Sequence, residues 1–132
     1  MLTLAPYILK LSPNLHWNAP LNAEHLTRDI SIQNKYSTDP LCSGKVYLKS
    51  IVDPLIGGVG VLKKDYQNWP SSKPILVLHG EDDQVTDHKG SIEFVEKLKA
   101  QDKTYKGFKG FRHECWNEPG EDKVEFMNVI VE

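Results

Sequence analysis

The sequence predicts an α/β fold in which parallel strands are joined by crossover helices. Residues 75–78 form a continuous apolar run between turn-forming residues, which is typical of a strand buried on both faces. Residues 103–108 have the pattern of a second strand, and Ile92, Val95 and Leu98 recur at helical spacing between the two. A strand, a helix and a second strand in this order favour a parallel pair.

The first forty residues predict loops and short helices. Residues 22–29 are the best short helical piece, and Asp39-Pro40 indicates a turn, because a residue before proline is kept out of the helical region. The apolar segment 1–12 lacks the charged start and the cleavage site of a signal peptide.

Residues 45–64 have the densest apolar content of the first half, at steps of three and four that predict an amphipathic helix. Its apolar positions are Val46, Leu48, Ile51, Val52, Leu55, Ile56, Val59 and Leu62. Pro54 and the glycine-rich run 57–60 would kink or end it, so we expect a broken helix.

The second half predicts two helices. Thr86 or Asp87 can cap the one between the strands, where Phe94 joins the apolar face. Glu118-Pro119 would open a closing helix. Its expected inward residues are Val124, Met127, Ile130 and Val131.

Composition excludes several classes of protein. The 132 residues suit one domain, and 16 basic against 18 acidic residues leave no basic field for nucleic acid. Cys42 and Cys115 form neither a disulfide scaffold nor a CxxC pair, and no apolar run is long enough to span a membrane. We therefore expect a cytoplasmic protein with no nucleic-acid partner.

Three sequence motifs are present only in part, and each lacks a residue that its function needs. His113-Glu114 opens a zinc-binding HExxH, but Asn117 stands at the second histidine. Residues 58–60 begin a dinucleotide fingerprint that Lys63 breaks, and Gly44-Lys45 lacks the upstream glycine of a P-loop. The sequence therefore predicts no metal and no cofactor.

Polar side chains follow both predicted strands. Asp83 lies in the loop after the first strand and His113 in the loop after the second, so both would project from one edge of the sheet. A carboxylate that orients a histidine is two-thirds of an acyl-transfer triad. Asp82 and Asp87 compete for the acid role, and a solvated acidic loop is an equal alternative from these residues alone.

Residues 75–118 also resemble a known family, the α/β-hydrolases of the monoacylglycerol lipase group, or serine aminopeptidase S33-like proteins. The Leu-His-Gly-x-x-Asp pattern is matched at 78–83, and the loops 101–104 and 110–114 fit as well. A second pattern is matched by Asp83, Val85, Thr86, Asp87, Lys89, Gly90 and Ser91. The resemblance implies that Asp83 is the triad acid and His113 the base.

The first half resembles the cap of such hydrolases at residues 4–7, 26–29 and 36–41. The resemblance implies a cap or lid region with connecting segments at 1–72 and a C-terminal hydrolase portion at 73–132. It also implies apolar substrate-binding side chains, for which the candidates are Leu48, Ile51, Leu55 and Val85.

The family's nucleophile is absent. It sits on a Gly-x-Ser-x-Gly elbow, and neither Ser43 nor Ser91 has the flanking glycines. We therefore expect an incomplete, inactive portion of an acylglycerol lipase, which cleaves monoacylglycerol to glycerol and fatty acid. The alternatives are a truncated remnant without turnover and a serine hydrolase of lysophospholipids or peptides.

The expected partner is a lipid ester substrate. Residues 45–62 carry ten apolar or aromatic side chains, and a broken amphipathic segment can rest on a membrane or lipid-droplet surface. The same side chains would equally serve to cover the sheet.

Overall fold

Six helices and two small sheets make up residues 5–131, the part of the chain that this computed structural model describes. Residues 1–4, where the cap-like stretch 4–7 begins, and Glu132 lie outside the described part. The helices are α1 (Ala5–Leu11), α2 (Ala23–Leu26), α3 (Ile30–Thr38), α4 (Leu48–Lys63), α5 (His88–Lys97) and α6 (Asp122–Val131). The strands are β1 (His16–Asn18), β2 (Lys45–Tyr47), β3 (Ile75–Gly80) and β4 (Lys103–Phe108), and single 3-10 turns lie at Asp65–Asn68 and Cys115–Asn117.

The parallel pair predicted from the sequence is confirmed. β3 and β4 run side by side, with Ile75 opposite Lys103 and Gly80 opposite Phe108. α5 is the crossover, and it begins where the Asp87 carboxylate accepts a hydrogen bond from the Lys89 N–H at 2.9 Å. Both strands therefore end at the same edge.

Burial of β3 on both faces was a wrong prediction. Leu76 is 46% exposed, and Gly80 is the only fully buried residue of the strand. One face packs on α5, whereas the other meets an aromatic cluster only at its carboxyl end. This cluster consists of Phe108, Phe111, Cys115 and Phe126.

The same cluster explains why the predicted inward face of α6 is wrong. Phe126 is buried with its ring 5.1 Å from that of Phe108. Val129, three positions after Phe126, also packs against the cluster, whereas the residues predicted to face inward are exposed. The exposed residues are Val124, Met127, Ile130 and Val131. The helix also begins at Asp122, later than the predicted Glu118-Pro119.

The helix predicted at 45–64 starts later than expected and is not broken. Residues 45–47 form β2, which pairs antiparallel with β1, and α4 then continues through Pro54 and the glycines to Lys63. A proline costs the helix one hydrogen bond, which packing against α1 and α5 can offset. The Lys97 ammonium also donates to the carbonyl of Leu62 at 2.8 Å. Tertiary contacts therefore override the local helix-breaking signals.

The predicted helical piece at 22–29 is divided in two. Asn22 caps α2, which ends at Leu26, and Asp29 caps α3 by accepting hydrogen bonds from the N–H groups of Ser31 and Ile32. The turn predicted at Asp39-Pro40 is confirmed by a 3.0 Å bond from the Cys42 N–H to the Asp39 carbonyl.

The α2–α3 junction is fastened to the loop after β4 by Glu118, whose side chain is fully buried. One Glu118 oxygen accepts from the backbone N–H and the Nε of Arg28, at 3.2 and 2.9 Å. The other accepts from the Arg112 N–H at 2.5 Å. Buried Thr27 adds a 2.6 Å hydrogen bond to the carbonyl of Asn117. A segment ninety residues earlier in the chain thus holds the loop that contains His113.

We predict that Glu118→Gln lowers the free energy of unfolding by about 3 kcal/mol, because it removes the charge from a buried, multiply bonded site. Urea unfolding measures the loss. Glu93→Gln is the matched control, since Glu93 forms an exposed i,i+4 pair with Lys97 and its loss should cost less than about 1 kcal/mol. Equal losses in the two variants would contradict the structural role of Glu118.

Candidate active site

Asp83 is held at the carboxyl end of β3 by its own loop. Its Oδ1 accepts hydrogen bonds from the N–H groups of Val85 at 2.7 Å and Thr86 at 2.9 Å. Such a turn forms because an aspartate side chain can bond to the backbone two or three residues further on. The side chain is only 2% exposed, so the loop presents a fixed carboxylate.

His113 meets this carboxylate, as the sequence predicts. Its Nδ1 lies 2.9 Å from Asp83 Oδ2, and its ring is 34% exposed. Within residues 5–131, His113 Nε2 has no hydrogen-bond partner. A side chain at Gly80 would clash with the carbonyls of Phe111 and Arg112, so the glycine lets the His113 loop approach β3.

Two further groups contact Asp83 Oδ2, and neither contact was predicted from the sequence. The hydroxyl of Thr86 donates to it at 2.7 Å, and Nε2 of His79 lies 3.0 Å away. The available signal was spacing, because His79 ends a strand four residues before the candidate acid and Thr86 follows three residues after it.

The electrostatics of the pair follow from these contacts. Burial alone would raise the pKa of Asp83, but hydrogen bonds from His113, from the Thr86 side chain and from the backbone of Thr86 and Val85 outweigh it and lower the pKa to about 2. Asp83 is therefore ionised near neutral pH and can only accept. The His113 Nδ1 that faces it must carry a hydrogen, which in a neutral ring leaves Nε2 free as a base.

A pocket of about 180 Å³ lies against the pair. Its apolar lining comes from Leu78, Trp116 and Phe126, and Cys115 lies beside them. Burial, with the charges of Glu118 and Asp83, raises the pKa of the Cys115 thiol to about 11. Cys115 therefore stays protonated and is a poor nucleophile.

The two competing residues are bonded elsewhere. The Asp87 carboxylate caps α5, and the backbone N–H of Asp82 donates to the carbonyl of Phe111 at 3.0 Å. Across residues 5–131, no group of three His, Cys, Asp or Glu side chains is arranged to hold a metal ion.

The four predicted substrate-binding residues lie outside the lining of this pocket. Leu48 and Ile51 are half-buried on α4, and Leu55 on the same helix is 52% exposed. Val85 is part of the Asp83 loop, where its backbone bonds to the carboxylate. Their contact with a substrate stays a prediction.

Comparison with known proteins decides the family. Residues 1–120 match the family model described as serine aminopeptidase, S33. The chain belongs to this family. The resemblance predicted from the motifs at 78–91 and 110–114 is thereby confirmed, and the family extends into the helical first half.

Named relatives agree with this assignment. The chain is 28% identical over 120 residues to the monoglyceride lipase of Saccharomyces cerevisiae and 28% identical over 129 residues to the monoacylglycerol lipase of Mycolicibacterium smegmatis. A Schizosaccharomyces pombe protein assigned provisionally as a monoglyceride lipase is 30% identical over 123 residues. These matches cover 86%, 94% and 93% of this chain but only 38%, 43% and 32% of the respective relatives.

Solved structures confirm the fold class. The chain superposes with a TM-score of 0.87 and 26% identity on a soluble variant of the S. cerevisiae monoglyceride lipase bound to a substrate analogue. With the monoacylglycerol lipase of Paleococcus ferrophilus the TM-score is 0.77 at 28% identity. These superpositions cover 98% and 99% of this chain and 46% and 49% of those structures. The chain thus has part of an α/β-hydrolase fold and spans under half of these relatives.

The low pKa of Asp83 predicts an acid-dependent loss of stability. Because the pKa falls from 3.8 to about 2 on folding, the ionised carboxylate stabilises the folded chain above about pH 4, and this contribution disappears as the pH falls from about 4 to 2. After allowance for solvent screening we expect about 1–2 kcal/mol.

Urea unfolding between pH 5 and 2 measures this term when the parent is compared with Asp83→Asn. The free energy of unfolding of the parent should fall more steeply than that of the variant. Parallel curves for the two proteins would contradict the assigned hydrogen bonds.

Proposed function

We propose that Asp83 and His113 are the acid and base of a serine-hydrolase triad that acts on the ester bond of monoacylglycerols. The observation that carries this proposal is the 2.9 Å contact between Asp83 Oδ2 and His113 Nδ1 at the shared end of two parallel strands. The relatives named as monoglyceride lipases support the choice of substrate.

The chemistry follows from the free Nε2 of His113. A serine hydroxyl attacks the ester carbonyl and gives its proton to Nε2, while Asp83 stabilises the imidazolium that forms. When the tetrahedral intermediate collapses, His113 returns the proton to the departing glycerol oxygen and an acyl-serine remains. Water then repeats the sequence, with His113 as base, and releases the fatty acid.

The nucleophile in this proposal comes from outside the 132 residues, because they contain no Gly-x-Ser-x-Gly elbow. We assign residues 1–72 as the cap of the complete hydrolase and residues 73–132 as its acid- and base-bearing portion. The apolar side chains of α4 are then candidates to contact the acyl chain.

The 132-residue chain alone should not hydrolyse monoacylglycerol. Loss of a triad nucleophile leaves only the residual catalysis that binding and oxyanion stabilisation provide. The assay is release of fatty acid from a monoacylglycerol by the purified chain. Hydrolysis above the level of a His113→Ala control would contradict the need for an external serine.

A chimera tests the roles of Asp83 and His113 directly. The part of the S. cerevisiae monoglyceride lipase outside the matched region would be joined to residues 1–132 of this chain. We expect hydrolysis of monoacylglycerol, with kcat lowered roughly 10⁴-fold by Asp83→Asn or His113→Ala.

Asp82→Asn is the matched control, because Asp82 adjoins the acid and has no bond to His113. It should retain most of the chimera's activity. A chimera that is active with Asn at position 83 would overturn the acid assignment. Faster cleavage of a lysophospholipid or a peptide than of monoacylglycerol would overturn the substrate class.

We further propose that the exposed face of α4 rests on a lipid surface. Leu55, Ile56 and Val59 are exposed along this helix, and Ile8 and Leu11 are exposed on α1, which packs against it. In the described part of the chain, no helix has the length and apolarity needed to cross a membrane. Burial of an apolar face at the interface is the mode of contact that this arrangement suits.

Flotation with neutral-lipid vesicles tests this contact. We expect weak association that changes little with salt, because Lys49 is paired with Asp53 and few other basic side chains lie on α4. Leu55→Asp should abolish it, whereas the control Ile130→Asp, on the exposed face of α6, should not. A folded parent chain that does not float would contradict the lipid contact.

A further inference from the structure

His79 occupies a defined place beside the acid–base pair. It lies on β3, and its half-buried ring is held between α5 and the Asp83 loop. Nδ1 lies 2.8 Å from the hydroxyl of Ser91, and Nε2 lies 3.0 Å from Asp83 Oδ2. A longer contact of 3.3 Å joins Nε2 to the hydroxyl of Thr86.

The direction of these hydrogen bonds is fixed by the ionised carboxylate. Asp83 can only accept, so His79 Nε2 must carry a hydrogen. In the neutral ring, Nδ1 is then a bare acceptor, and the Ser91 hydroxyl donates to it. The bonds therefore run from Ser91 to His79 and from His79 to Asp83, and Ser91 fixes both the tautomer and the ring orientation.

Asp83 Oδ2 is consequently shared by three donors, which are His79, His113 and the hydroxyl of Thr86. Each donor draws on the same negative charge and weakens the hold of the oxygen on the others. Val85 and the backbone of Thr86 already fix the other oxygen, so His79 is not needed to anchor the carboxylate.

We propose that His79, oriented by Ser91, is a positioning residue that sets how strongly Asp83 holds His113. His79 takes up part of the hydrogen-bonding capacity of Oδ2 and leaves the His113 Nδ1–H bond weaker than it would otherwise be. This rests on the proposed function of the pair, since it concerns the hydrogen bond between acid and base.

In the part of the chain that the structure describes, the other titratable groups near the rings of His79 and His113 form no hydrogen bond with Asp83 Oδ2. The His88 ring is edge-on to His79 at a centroid distance of 6.4 Å, and the Cys115 thiol lines the pocket beside His113. Among residues 5–131, only His79 and His113 bring ring nitrogens to Asp83 Oδ2. His88→Phe is therefore a matched control that removes a neighbouring imidazole without removing a bond to the acid.

Proton NMR of the 132-residue chain near neutral pH tests the proposal through the His113 Nδ1–H resonance. His79→Phe removes the donor, so this resonance should move downfield and its exchange with water should slow. His79→Gln can return a donor to the place of Nε2 and should restore the parent position. Ser91→Ala, which frees the ring, should give a smaller shift in the direction of His79→Phe, and His88→Phe should give none.

The outcomes separate the two proposals. A His113 Nδ1–H resonance in the parent at the position of an imidazole N–H without a carboxylate partner would overturn the acid–base pair itself. A resonance present in the parent but unmoved, or moved upfield, in His79→Phe would overturn the role of His79 alone, as would a failure of His79→Gln to restore it. Amide dispersion in the same spectra checks the fold, and if His79→Phe unfolds, an unmoved resonance in Ser91→Ala overturns the role of His79.

Discussion

The buried carboxylate of Glu118 is the constraint on which the arrangement at the sheet edge depends. It accepts hydrogen bonds from two residues that are far apart in the sequence. These are Arg28 in the helical half and Arg112 beside His113. A carboxylate without solvent contact must be fully satisfied by donors, so the two halves of the chain have little freedom to separate. The position of His113 is in this sense set by residues of the α2–α3 junction.

The second carboxylate, Asp83, works differently because its partners are local. Four of its five hydrogen bonds come from residues within four positions of it, and only His113 is distant in sequence. The acid is therefore built into its own loop, and the base is brought to it by strand pairing and by the Glu118 contacts. The groups that lower the pKa of Asp83 all lie in the second half of the chain. The first half contributes only by helping to place His113.

Exposed apolar side chains on β3 and α6 have different surroundings from those on α4. On β3 and α6, residues such as Leu76 and Met127 are exposed although strands and helices of this kind are normally covered in α/β folds. On α4, the exposed apolar side chains belong to a continuous helix whose other side packs on α1 and α5. The chain covers under half of the solved relatives with which it superposes, and the exposed residues of β3 and α6 lie within residues 75–131.

The sequence by itself determined the parallel strands and the family, left Thr86 or Asp87 as the cap of α5, and through the family resemblance predicted the pairing of Asp83 with His113. The strands follow from short-range apolar patterns, and the shared edge follows from the rule that parallel strands end together. The choice of Asp83 over Asp82 and Asp87 is what the resemblance implies. Only the tertiary structure decided that α4 passes through Pro54, that Phe126 rather than Met127 is buried, and that His79 and Glu118 bond where they do. The physical reason is that a helix break, a buried face or a hydrogen-bond partner depends on what packs against the residue, and those neighbours lie up to ninety positions away.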